Sequence, residues 1–131
     1  MDTIPTLELS LAQEFVQVAH SDLDRTRELL EKESRLVNAT WDWGGGDFET
    51  ALGAAAHMGR KDIANYLLDK GARLDLFAAA MLGKLDIVRA VLNEFPNALK
   101  TPGPHGISLI EHAKSGGEDA KAVLAFLESS K

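Results

Sequence analysis

The stretches "AAAHMGRKDIANYLL" (Ala54–Leu68) and "AAAMLGKLDIVRAVL" (Ala78–Leu92) align without a gap, alanine triplet on alanine triplet, Gly59 on Gly83, Asp62 on Asp86 and Ile63 on Ile87. The two glycines lie 24 residues apart. Self-similarity at this scale marks a supersecondary unit that buries its apolar face against the next copy of itself. Each copy has a short alanine-rich segment, a glycine break and a longer segment with apolar residues at helical spacing. Ile87, Val88, Val91 and Leu92 form one stripe on a helix, which the alternation of a strand would not give. The unit reads as helix-turn-helix.

Two looser copies flank this pair. "FVQVAHSDLDRTRELL" (Phe15–Leu30) carries Ser21 in place of the glycine, and "GISLIEHAKSGGEDAKAVLAFL" ends the chain with Gly116 or Gly117 at the break. With Gly116 chosen, successive breaks are separated by 38, 24 and 33 residues. Ser10 with Gln13 and Ser108 with Glu111 have capping-box spacing. Gly71 suits the left-handed end of a helix, Pro96 stops the next one, and Asp75 suits an N-cap. Few β-branched residues among much alanine and leucine also favour an all-α fold.

The 131 residues fit a single domain, with 45% apolar and 26% charged residues giving globular usage. A net charge of -6 with dispersed lysine and arginine argues against nucleic acid as partner. The absence of cysteine excludes disulfides and thiolate chemistry. "MDTIPTLELSLAQEF" lacks the pattern of a secretory leader, and no apolar run reaches the ~18 residues of a membrane span. A cytoplasmic location with no membrane partner is expected.

The stretch "TALGAAAHMGRKDIANYLLDKGARLD" resembles the ankyrin repeat, with its Thr-Pro-Leu-His opening, paired alanines, glycine turn, Ile-Val, Leu-Leu and Gly-Ala-Asp. The resemblance implies an all-α ankyrin-repeat solenoid of stacked helix pairs with irregular finger loops. It runs from roughly Ser10 to Ser129 and implies one domain over residues 1–131, with repeats at approximately 10–38, 39–74, 75–100 and 101–129. It departs from the family where Thr50-Ala51-Leu52-Gly53 replaces Thr-Pro-Leu-His, which removes the histidine that bridges neighbouring repeats.

The spacings depart too. Against a usual repeat of about 33 residues, the link between the first two copies is about five longer and the next about nine shorter. The extra residues fall in "WDWGGGDFE", an enlarged finger, while "GARLDLFAAAMLG" has no space for one. "KTPGPHGIS" (Lys100–Ser108) is a further finger. The missing finger is expected to leave a notch. Trp41, Trp43, Asp47 and Phe48 would form one wall, His105 with Pro104 the other, and Phe77, His57, Met58, Met81 and Leu82 the floor. Each tryptophan either grips a partner or folds inward over the helix ends, and at least one of Met58 and Met81 belongs to the core.

Other chemistries fit less well. "GGGD" has no preceding strand and no basic neighbour, as a phosphate loop requires, and Asp42, Asp47 and Glu49 give it the wrong charge. Gly44, Gly45 and Gly46 instead suit a tight reversal at positive φ. The alternating acids of a calcium loop are absent. His20 and His57 occupy related places one repeat apart, and His105 and His112 lie in the last repeat. No spacing links them as a zinc set, so only folding could converge them, and surface or turn roles are expected. Glu111 and His112 are adjacent on a helix and do not face each other.

The residues thus predict a non-enzymatic, monomeric module that binds a protein or peptide on its finger and first-helix face. No catalytic residue, metal or cofactor is expected. The alternative is a small-ligand or metal-binding pocket between the loops Trp41–Phe48 and Pro102–Gly106, with or without accessory catalysis, around Asp47, His57 and His105.

Overall fold

A computed structural model describes residues 3–131. Met1 and Asp2, which open the stretch read for a leader, lie outside the described residues. The chain forms four consecutive helix pairs: α1 (Leu9–Val18) with α2 (Leu23–Lys32), α3 (Ala51–His57) with α4 (Lys61–Asp69), α5 (Leu76–Met81) with α6 (Leu85–Glu94), and α7 (Leu109–Ser115) with α8 (Lys121–Ser129). One antiparallel hairpin, β1 (Thr40–Asp42) with β2 (Phe48–Thr50), precedes α3. Among the described residues no helix is long and apolar enough to cross a membrane.

The first helices stack in series. α3 packs between α1 and α5, and α5 between α3 and α7, while α3 also touches α7 directly. Their alanines explain the close approach: Ala54–Ala56 and Ala78–Ala80 are all fully buried, and side chains this small let helix axes draw together. The second helices cover this layer with one apolar stripe each, namely Leu29 and Leu30, Ile63 and Leu67, Val88 and Leu92, and Val123 and Leu127. Ile87, placed on such a stripe by its spacing, is instead 40% exposed.

Capping follows the local chemistry with one exception. Thr50 accepts from Gly53 N–H, Asp75 from Ala78 N–H and Ser108 from Glu111 N–H, at 2.9, 2.8 and 3.1 Å. Gly71, at φ +102°, closes α4 while Ala72 N–H returns to the Leu67 carbonyl. Ser10, in contrast, is not a cap. α1 starts two residues earlier than a Ser10 cap would place it, with Glu8 in the cap position, and Ser10 lies inside the helix.

The break of the last pair is Gly117. Gly59, Gly83 and Gly117 each follow the C-cap of a first helix at φ of +67°, +76° and +60°, whereas Gly116 is right-handed. The spacing from the third unit to the fourth is therefore one residue longer than Gly116 would give. The link from α4 to α5 contains no strand, as its length requires.

The missing finger has a structural consequence. With the third unit shortened, the fourth reaches the second at equivalent positions, all separated by 58 residues. His105 bonds Asp47, Ser115 Oγ donates to the His57 carbonyl at 3.1 Å, and Lys61 Nζ meets Asp119 at 2.7 Å. Asp47 and His105 each stand three residues before the N-cap of their helix.

Candidate functional site

The enlarged finger is a hairpin, so a strand does precede the triple glycine, contrary to the expectation of a loop alone. Trp41 pairs with Glu49 and Asp42 with Phe48. Gly44, Gly45 and Gly46 make the reversal at φ of +137°, +65° and +89°, and the Asp42 carboxylate ties it by accepting from Gly44 and Gly46 N–H. The Asp42 carboxylate occupies the amides that an anion would need, so the glycines are turn chemistry.

Alternation along β2 leaves Phe48 59% exposed and turns Glu49 inward to 1% exposure. A buried carboxylate is costly unless it is paired. No lysine or arginine pairs with Glu49 among the described residues; three histidines surround it. His20 Nε2 and His105 Nε2 lie 3.2 Å from Oε1, and His57 Nε2 lies 3.1 Å from Oε2. Trp43 Nε1–H donates to Oε1 at 2.9 Å. His57 Nε2 and Glu49 Oε2 face each other without forming a hydrogen bond, and both are buried without another partner.

Three repeats build this cluster. His20 stands just after α1, His57 ends α3, and His105 comes from the loop before α7. The ring centroids of His57 are 5.0 Å from those of His20 and 5.2 Å from those of His105. His20 Nδ1–H donates to the Val16 and Gln17 carbonyls at 3.1 and 3.0 Å. His105 is held by Asp47, whose carboxylate accepts from its main-chain N–H at 2.7 Å and from its Nδ1–H at 2.6 Å. These bonds hold His105 at φ +60°, the only non-glycine residue in the left-handed region among those described.

The charges follow from these contacts. Burial pushes the Glu49 carboxyl up, but His20, His57 and Trp43 facing it outweigh burial and hold it well below the usual carboxylate range. The same contact with Glu49 raises His20 against its own partial burial. The His105 main-chain N–H, with the ring beside it, lowers Asp47. Gly53 stands where the ankyrin pattern has histidine, and a Cβ there would make ordinary contacts of 3.4 to 3.6 Å with Thr50, Glu49 and Pro104.

The expected open notch is corrected by this geometry. Asp47 and His105, expected on opposite walls, bond directly and tie the two loops together. Met81, assigned to the floor, is fully buried in the core and unable to touch a partner. Phe77 is half-buried, packed on the His112 ring at 4.8 Å and under Gly103. Trp41 and Trp43 are both half-buried against the core, so neither is fully inward nor fully free. Met58, at 50%, stays exposed.

Sequence reasoning missed Glu49 as a site residue and left His20 outside the site. The signal was in the repeat alignment, since equivalent positions of stacked units become neighbours: His20 with His57, and Asp47 with His105.

The family model of the ankyrin repeat matches residues 47–77, from the finger to the start of α5. The chain carries an ankyrin repeat, and its stacked helix pairs are consistent with the ankyrin-repeat fold. No curated protein matches it. Ankyrin repeats generally bind proteins, so the repeat suggests a protein-interaction module. Its four polar residues at the finger base, His20, Glu49, His57 and His105, are the donor set among the described residues that could hold a metal.

Proposed function

We propose that this protein is a non-enzymatic module that binds a protein or peptide segment on its finger and first-helix face, with Trp41, Phe48 and Met58 as the anchoring side chains. The observation that carries this reading is an exposed phenylalanine on a finger whose backbone is held in one conformation. Phe48 offers a large apolar surface to a partner, and strand pairing, the Asp42 turn and the Asp47–His105 bonds remove the entropy that a loose loop would lose on binding. Trp43, Asp47, His57 and His105 are engaged with one another or with Glu49 within the chain and are left out of the anchor set. The apolar anchors suit a partner segment with aliphatic or aromatic side chains.

Site-specific photocrosslinking in cells tests the assignment. A photoreactive residue at Phe48 is expected to capture a defined partner, and one at Arg89, on the second-helix side, is not. Capture that is equal at both positions, or that survives Trp41→Ala with Met58→Ala in a folded protein carrying the photoreactive residue at position 48, would refute this face.

A further inference from the structure

We infer that His20, Glu49, His57 and His105 form a site for one divalent transition-metal ion of the zinc class, independent of the partner-binding reading. Each residue offers one ligand atom, and the four atoms lie within 4.8 Å of one another. A tetrahedral ion with bonds of about 2.1 Å sets its ligands about 3.4 Å apart. The three imidazole Nε2 atoms already lie 3.1 to 3.2 Å from the Glu49 carboxylate oxygens. Three imidazoles with one carboxylate suit zinc, cobalt, nickel, copper or ferrous iron, whereas calcium and magnesium take oxygen ligands.

Hydrogen bonding points the same way. Nδ1–H of His20 donates to main-chain carbonyls and Nδ1–H of His105 donates to Asp47, which leaves the Nε2 lone pair of each ring directed at the cluster centre. A carboxylate behind a histidine is the arrangement that orients metal-bound imidazoles and raises their basicity. His57 Nε2 and Glu49 Oε2, buried and unpartnered at 3.1 Å, are the two atoms a shared cation would satisfy. Trp43 N–H occupies one lone pair of the carboxylate and fixes its rotation.

The ligands come from three repeats, so an ion bound here would tie the first, second and fourth units together. The shortened third repeat then has a purpose: it brings the His105 loop onto the Asp47 finger. Having four protein ligands gives the site the closed set of a structural zinc centre, with no position reserved for a reacting water.

The test uses the full chain, stripped with chelator and titrated with zinc chloride by calorimetry and with cobalt chloride by its visible absorption. Metal content is counted by atomic emission. One equivalent of zinc is expected, with a higher Tm and a four-coordinate cobalt spectrum. His57→Ala and His105→Ala, checked for folding by circular dichroism, are expected to weaken binding at least as much as Asp47→Asn, which should lose about 10- to 100-fold. His105 lies on a surface loop, so that variant should keep the fold. Substoichiometric uptake by the folded wild type, or equal uptake by a His57→Ala/His105→Ala double variant, would overturn the site and leave a polar network that serves packing alone.

Discussion

The carboxylate of Asp47 accepts two hydrogen bonds from His105, one from the main-chain N–H at 2.7 Å and one from the ring Nδ1–H at 2.6 Å, across 58 residues of chain. The pair joins the second repeat to the fourth past a third repeat that lacks a finger. The same two bonds hold His105 in its left-handed backbone conformation and its ring against Glu49.

Replacing Asp47 with alanine should therefore free the loop before α7. Amide hydrogen exchange at His105 and Gly106 is expected to speed up markedly in Asp47→Ala, while exchange in α4 and α6 stays as in the wild type. Unchanged protection of the loop would mean that the clasp does not hold it.

Gly83 and Gly71 both adopt positive φ, at +76° and +102°, but their surroundings differ. A Cβ on Gly83 would run into the Asp119 carbonyl oxygen, whereas one on Gly71 meets nothing within 4 Å. Gly71→Ala is expected to cost about 1 kcal/mol for the backbone alone. Gly83→Ala adds the clash and should cost on the order of 3 kcal/mol or more. Urea unfolding of the two variants measures the difference. Equal losses would show that the fourth repeat yields at this contact.

The two methionines before the glycine turns provide a packing comparison. Met81 is fully buried and Met58 is 50% exposed. Met81→Ala should cost about 2–5 kcal/mol through the cavity it leaves. Met58→Ala should change stability by less than about 0.5 kcal/mol. Denaturant midpoints decide between them, and a large loss at Met58 would assign it to the core.

His112 is a source of acid sensitivity. It is fully buried beside Phe77, with Nδ1–H donating to the Ser108 carbonyl and Nε2 unpartnered. Burial pushes its pKa below the ordinary 6.5, and the nearby His57 pushes the same way while Ser108, Asp75 and Glu49 oppose. Because the unfolded chain takes up this proton more readily than the folded one, stability is present above pH 6.5 and declines as pH falls below it. His112→Leu should reduce that decline when unfolding is compared at neutral and mildly acidic pH. An identical pH dependence in the variant would remove His112 from the account.

Much of the fold was legible before any contact was known. Alanine triplets, glycine breaks and apolar stripes are local patterns, and Thr50, Asp75 and Ser108 cap through bonds that span only three residues. Ser10 misled because its spacing to Gln13 fits a capping box while the helix begins at Leu9, so that the Ala12 amide a Ser10 cap would serve already donates to the Glu8 carbonyl. The choice between Gly116 and Gly117 needed the backbone, since only the φ angle distinguishes them.

The site was legible only in part. Uneven spacing showed that one finger was enlarged and the next absent, but it could not show that the flanking loops would bond each other. His57 and His105 were picked out, yet Glu49 looked like one more acid on a loop, because its burial depends on which face of β2 turns inward. By itself, then, the sequence determined the repeat, its helices, their caps and the irregular finger lengths, all of which rest on interactions within a few residues. Only the tertiary structure decided that three histidines and a buried glutamate from three repeats converge, because that convergence depends on how sharply stacked units close on one another, a property of packing that no local spacing encodes.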